Sequence, residues 1–201
     1  MSVLRNMCDQ HKLVLVLSIA KALYSNSMEH GIQHVERVLK WALKITSEEK
    51  LRIDPGILEL AVYLHDLGRV VGDPHAYYSA LIGRELLREA ECDESTIEKV
   101  ISAVEAHSFS YSKVRKTVED SDLAKVLSDA DKLDALGLIG FLRVFMYSER
   151  VGRDLDYTLK HFSDKILRLH LYMNYQYSRK VAEKYTERVK QLLELLKEEL
   201  S

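Results

Sequence analysis

Apolar residues recur at three- and four-residue spacing along almost the whole chain, and strict apolar–polar alternation is nearly absent. A period near 3.6 is the signature of helices that bury one face, whereas half-buried strands repeat every second residue. Stripes of this kind lie at about 11–24, 32–47, 56–67, 76–90, 94–106, 120–134, 136–148 and 163–199 and predict an all-α chain built as a multi-helix bundle. Start signals agree with them. Asp54 is a side-chain cap followed by Pro55 at the first helical position, Asp93 heads the next stripe but one, and Ser121 or Thr117 heads the stripe that leads to Asp131. The least regular stretches, GRVVGDPH at 68–75 and HSFSYSKVRKTVEDS at 107–121, are expected to be loops. The run LVLVLSIA at 13–20 has the length of a leader's apolar region and follows basic residues. It falls short of the roughly 20 residues needed to cross a bilayer. Leu13, Val16, Leu17, Ala20 and Leu23 keep helical spacing, so it is expected to be the first core helix.

Projecting each stripe forward brings polar residues onto core faces. Leu58, Ala61 and Val62 stand seven, four and three residues before His65, so His65 continues an apolar face. His107 follows Val100 and Val104 in the same way, Asp131 follows Leu123 and Leu127, and His34 opens a stripe continued by Val38, Trp41 and Ile45. A single inward histidine is ordinarily a satisfied core residue. Several together with carboxylates are another matter. Burying Asp66 and Asp131 without countercharge costs several kcal/mol each, and no Lys or Arg shares the stripes of His65, His107 or Asp131. A bound cation removes that cost. Imidazoles and carboxylates without thiolates suit Mn, Fe, Co, Ni or Zn in a partly open site better than a structural zinc or an all-oxygen calcium cage.

Composition narrows the setting. The chain has 201 residues, 47% hydrophobic and 30% charged, with two prolines and eight glycines and no linker-like tract, as expected of one globular domain over residues 1–201. A net charge of -2 offers no basic field for nucleic acid. Cys8 and Cys92 form no paired motif, which is expected to mean free thiols and a cytoplasmic location.

HVERV at 34–38, LHDLGR at 64–69 and SDADKLDALG at 128–137 resemble, in that order, the HD superfamily of metal-dependent phosphohydrolases. AVEAHSFS at 103–110, LIGFLRVFMYS at 138–148 and LKHFSDKILRL at 159–169 are similar to its stand-alone bacterial and archaeal nucleotide hydrolases, so the resemblance spans about 30–170. Helices at 11–24 and about 172–199 are expected to pack on that part as one HD-domain bundle.

The resemblance implies that His34, His65, Asp66 and Asp131 hold one divalent ion (Mn, Mg, Co, Ni, Fe or Zn) that activates water for attack on phosphorus. Asp66 is then the candidate for orienting or deprotonating that water, with Asp134 sharing the work or hydrogen-bonding a ligand from behind. His107 is a further ligand or a phosphate donor. Positive charge for the phosphoryl oxygens is expected from Arg37 and Arg143 first, then Lys165 and Arg69, with His161 and Lys132 nearby. His75 follows Pro74 in a presumed loop with no stripe to aim it inward, so a mononuclear site is expected and a second ion is the subordinate reading. The expected substrate is a small phosphate, in the first place a nucleotide, with no nucleic-acid or membrane partner. The expected state is a monomer, or a homodimer through the outer leucines of the last helix. Two alternatives stand beside hydrolysis: a dinuclear-iron oxygenase, and a non-catalytic nucleotide-sensing or scaffold module with a structural metal.

Overall fold

The computed structural model describes residues 7–108 and 120–200. The regular elements among them are all helical: α1 (Gln10–Leu23), α2 (Ile32–Glu48), α3 (Pro55–Leu64), α4 (His75–Glu89), α5 (Glu94–Ala106), α6 (Asp122–Asp134), α7 (Gly137–Arg150), α8 (Leu155–Asp164) and α9 (Gln176–Leu200), with 3₁₀ turns at Leu67–Val70 and Ile166–Tyr172. The predicted caps are in place. Asp54 accepts from the Gly56 and Ile57 amides, Asp93 from Thr96 and Ser121 from Ala124. Thr117, the other proposed cap, lies outside the described residues, as does most of the 107–121 stretch.

Helix α3 is buried nearly all round, from Ile57 and Leu58 through Leu60–Leu64. A helix apolar on every side belongs at the centre of a bundle, and α1, α2, α4, α5 and α6 pack around it. Complete burial of each of its leucines contributes roughly 1.5–3 kcal/mol, so the residues at its C-terminal end sit on the most tightly held part of the fold. Helix α2 packs most extensively on α6, and α9 closes over α7, α6 and α2. The buried apolar side chains form one cluster running from Leu13 to Leu193.

Four expectations need correction. The 163–199 stripe is not one helix. Helix α8 begins earlier, where Asp154 accepts from the Tyr157 amide, and ends at Asp164. After the 3₁₀ turn, the Asn174 and Tyr175 amides leading into α9 donate to Asp129 of α6 at 2.9 and 3.1 Å, a cap supplied across the tertiary structure. The helix expected to run to 67 stops at Leu64, and the chain turns at His65–Asp66 into the 3₁₀ segment.

His75 is the first residue of α4, not a loop residue. Gly68 explains how α4 comes so close to the turn after Asp66: a Cβ there would meet the His75 carbonyl at 2.2 Å and the Ser79 nitrogen at 2.4 Å. The Gly68 amide donates to Ser79 Oγ at 2.8 Å.

Cys8 and Cys92, 84 residues apart, form a disulfide. It lies beside backbone bonds from Asp93 N–H to the Met7 carbonyl (2.8 Å) and from Asp9 N–H to the Ala90 carbonyl (2.9 Å), which dock the start of the chain on the α4–α5 connection. The expectation of free thiols is overturned, and the argument from thiols to a reducing compartment goes with it. Among the described residues, no helix is long and apolar enough to cross a membrane.

Candidate metal centre and its cavity

His65 and His107 occupy equivalent positions just past the ends of α3 and α5. Each turns Nδ1 back to the carbonyl three residues earlier, His65 to Val62 at 2.6 Å and His107 to Val104 at 2.5 Å. A carbonyl can only accept, so the proton is on Nδ1 and Nε2 carries a lone pair. His34, on the first turn of α2, makes the same arrangement with a carboxylate, Nδ1 lying 2.7 Å from Asp134 Oδ2. The three Nε2 atoms and Asp66 Oδ1 are buried without any hydrogen-bond partner. Four orphaned lone-pair atoms in one place cost several kcal/mol unless something electropositive binds them.

Their spacing fits a shared ion. His34 Nε2 lies 3.6 Å from Asp66 Oδ2 and 3.5 Å from Asp131 Oδ1. His65 Nε2 is 3.8 Å from Asp66 Oδ2, and His107 Nε2 is 3.9 Å from Asp66 Oδ1. These separations are too long for good hydrogen bonds. Donors each about 2.1 Å from one cation lie about 3–3.5 Å apart, close to what is seen. In three overlapping groups all the donor atoms lie within 4.8 Å of one another: His34–His65–Asp131, His65–Asp66–His107 and His30–His34–Asp66.

Charge states suit the same purpose. Burial, aided by Arg143, pushes His34 down to about 4 against the pull of Asp134. Burial with His65 and His75 nearby pushes His107 down to about 3. Both imidazoles are therefore neutral near pH 7, with lone pairs available. Burial alone would raise Asp66, but Arg69, His65 and His30 outweigh it and hold the carboxylate well below its ordinary value. Asp131, expected to be buried, keeps its side chain 30% exposed; it is likewise lowered, the cost of desolvation being outweighed by His34 and His65.

The four expected ligands are thus brought together, with His107 beside them. Other candidates are placed differently from expectation. Arg37 and Arg143 both clasp Asp134: Arg37 Nε at 2.6 Å and Nη2 at 3.0 Å, Arg143 Nη1 at 2.6 Å. Asp134 therefore bonds the back of His34 and is itself held by two guanidiniums. Arg69 Nε donates to Asp66 Oδ2 at 2.5 Å, so Asp66 has the basic partner that the stripe argument denied it, supplied from the turn three residues on. Lys132 faces away from the cluster, donating to Ser128 Oγ at 2.7 Å, and Ser128 in turn donates to the His107 carbonyl. His75, thought to point elsewhere, brings Nε2 to 3.4 Å from Asp66 Oδ1.

A cavity of about 560 Å³ lies beside this cluster, with Arg69 and His75, which both approach Asp66, and Arg143, Arg153, His161 and Lys165 on its wall. Among the described residues Lys165, His161 and Arg153 have no carboxylate partner, and Arg153 instead lies over the rings of Tyr147 and Tyr157 at 5.2 and 4.8 Å. Burial and then neighbouring positive charge lower His161. Lys165 is lowered mainly by burial, with Asp131 opposing. Sequence reasoning missed Arg153 and His30. Arg153 follows a glycine beyond the end of its stripe. His30 stands four residues before His34, a spacing that was open to inspection, but it precedes the stripe and was not projected with it.

The class defined by this fold and site is an all-α domain with a His/Asp metal cluster at the end of its central helix. The HD-domain family model matches residues 31–136, and the chain belongs to the HD superfamily. The uncharacterized protein YpgQ of Bacillus subtilis is 30% identical over 172 residues, covering 82% of each chain. A crystal structure of YpgQ in complex with ADP superposes with a TM-score of 0.74 at 26% identity, covering 95% of this chain and 96% of that one. An HD-superfamily hydrolase of Bacillus thuringiensis superposes with a TM-score of 0.69 at 25% identity, covering 96% and 98%. An HD-superfamily hydrolase fold carrying a candidate metal cluster is therefore established, and the relatives point to hydrolysis.

Proposed function

We propose that the protein is a metal-dependent phosphohydrolase that cleaves a phosphoester or phosphoanhydride bond of a nucleotide or related small phosphate. The observation that carries this reading is the cavity beside the cluster: the buried donors lie against His30, Arg69 and His75 of its wall, and Lys165, His161 and Arg153, without a carboxylate partner among the described residues, line its other side. Lys165 and Arg153, held near one another without a carboxylate partner among the described residues, repel, and phosphate oxygens relieve that repulsion beside the cluster. ADP in the related B. subtilis structure supports a nucleotide.

His34, His65, Asp66 and Asp131 would hold a divalent ion, which when bound polarises a phosphoryl oxygen and makes water a stronger nucleophile near neutral pH. Asp66 is the carboxylate placed to accept a hydrogen bond from that water, and Arg69 holds its Oδ2 in position. Asp134 fixes the tautomer of His34, and Arg37 and Arg143 act through Asp134 as positioning residues. Lys165, His161 and Arg153 bind phosphate oxygens away from the reacting phosphorus.

Release of phosphate and pyrophosphate from ATP, ADP, nucleoside monophosphates and p-nitrophenyl phosphate, each with Mg, Mn, Co or Ni, tests the assignment. Turnover that requires metal and disappears in His65→Ala is expected, and metal-independent turnover or none with any substrate overturns it.

One observation favours a second reading of the ion count. Asp66 Oδ1 faces His75 at 3.4 Å and His107 at 3.9 Å, on the side away from the Oδ2 contacts with His34 and His65. With this arrangement His75 and His107 would hold a second ion together with Asp66, and it also keeps dinuclear-iron oxygenase chemistry in contention. Elemental analysis decides the number: two ions per chain falling to one in His75→Ala establishes the pair. Oxygen uptake with reduced iron separates oxygenase from hydrolase.

A further inference from the structure

Two guanidiniums lie at the ring of Tyr147, and they are held differently. Arg150 is 5.1 Å from the ring centroid and pairs with the Glu29 carboxylate. Arg153 is 5.2 Å from the same centroid and 4.8 Å from that of Tyr157. Among the described residues its guanidinium makes no hydrogen bond and no ion pair. Of the two, Arg153 is the one on the cavity wall.

The connection between α7 and α8 builds this arrangement from neighbouring residues. Gly152 has a φ of +69°, in the left-handed region that a glycine adopts without strain. The Arg153 amide after it turns back to the Ser148 carbonyl at 2.9 Å. Asp154, the carboxylate next in sequence, is committed elsewhere: it accepts from the Tyr157 amide at 2.7 Å and caps α8. Tyr147 near the end of α7 and Tyr157 in the first turn of α8 therefore each supply a ring to the arginine between them.

A carboxylate partner would occupy the N–H groups at the edge of the guanidinium. A ring attracts the cation through its π face and leaves those groups unused. Arginine held in this way keeps its donors for an acceptor from outside the protein, and phosphate oxygens match the planar fork two at a time.

We propose that Arg153 is a phosphate receptor held in place by Tyr147 and Tyr157, taking two oxygens of one phosphate group of the bound molecule. Tyr157, 54% exposed and not on the cavity wall, is a positioning residue that acts through Arg153. The inference rests on the phosphohydrolase reading and extends it, because it gives the cationic side of the cavity a direction as well as a charge.

Calorimetric titration of inorganic pyrophosphate and of ADP into metal-free and Mn-loaded protein tests it through a double-mutant cycle. Arg153→Met should weaken pyrophosphate binding about tenfold, and Arg153→Lys, which keeps the charge without the fork, about fivefold. Tyr157→Leu should weaken it about threefold in the wild-type background and not at all beside Arg153→Met. Tyr157→Phe keeps the ring face and should restore the affinity lost in Tyr157→Leu. Pyrophosphate binding unchanged in Arg153→Met and Arg153→Lys overturns the receptor. Tyr157→Leu that weakens binding equally with and without Arg153, or Tyr157→Phe that is as weak as Tyr157→Leu, overturns the positioning role. Either of these failures in a protein that still binds pyrophosphate and ADP leaves the phosphohydrolase reading standing. Wild type that binds neither, with or without Mn, overturns both.

Discussion

In the cluster that forms the floor beneath the cavity wall each of three histidines is fixed by a hydrogen bond at its far nitrogen: Val62 behind His65, Val104 behind His107, and Asp134 with its two arginines behind His34. At the cationic end the support is of another kind. Lys165 and His161 come from the last turn of α8 and its cap, Arg153 from the connection before it, and none has a carboxylate to hold it among the described residues. The floor is pre-organised by neutralised, hydrogen-bonded groups on the most buried helices, while the cationic end is an electrostatic surface left open. A reacting centre that must place atoms to within a fraction of an ångström needs the first kind of construction. Recognition of a flexible polyanion tolerates the second.

The contrast can be broken most sharply at Asp66. Asp66→Ala, like His65→Ala, should lower metal-dependent hydrolysis by more than about a thousandfold, with far-ultraviolet dichroism nearly unchanged, because the helices are held by aliphatic packing. Activity within about tenfold of wild type would remove the residue from the site.

Asp134→Ala attacks the backing of the floor without touching its front. Arg37 and Arg143 would be left without their carboxylate, and His34 Nδ1 without its acceptor. Losing one member of such a buried group costs about 3–5 kcal/mol, and loss of the ligand's partner weakens metal affinity about 10–100-fold. Chemical denaturation and Mn titration should register both, with Asp134→Asn milder in each. A stable variant of unaltered Mn affinity would show that the arginines do not act through Asp134.

Metal itself should tighten the floor. At about one hundred times its dissociation constant, Mn is expected to add about 2.7 kcal/mol of stability, raising the melting temperature by roughly 5–10 °C for a chain of this size. The increment should shrink in His34→Ala, and a melting curve indifferent to Mn and to chelator would contradict a preformed site.

The smallest effect belongs to the cationic end. Lys165→Ala should lower kcat/KM by about tenfold, chiefly through KM, with thermal stability unchanged or slightly raised because one of several like charges is removed. A loss of stability comparable to that of Asp134→Ala would mean that the two ends are built alike after all.

Much of this site is local and therefore readable in one dimension. His65 and His107 lie where their apolar stripes carry them, and the bond from each Nδ1 to the carbonyl three residues back needs nothing beyond the end of its own helix. His34 and Asp131 follow from the same periodicity. The caps at Asp54, Asp93 and Ser121 are equally local, since each side chain reaches an amide two or three residues on. The misplaced residues depend on contacts between distant segments. His75 has no stripe of its own, and only the approach of α4 over Gly68 turns it toward Asp66. The break before α9 depends on Asp129, forty-five residues upstream of Asn174.

By itself, then, the amino-acid order determined the helices, their buried faces, most of their caps and, through helical periodicity, three of the four residues expected to hold a metal, with Asp66 added by the resemblance, because periodicity and capping act within a few residues. The tertiary structure decided what those residues lean on and what surrounds them. It drew Arg37 and Arg143 onto Asp134, Arg69 onto Asp66, His30 and His75 to the cluster, Cys8 to Cys92, and Lys165, Arg153 and His161, without carboxylate partners among the described residues, to the far end of one cavity. An arginine or histidine has several partners within reach of a flexible side chain, and only the packing of helices far apart in the chain leaves one of them close enough to bind.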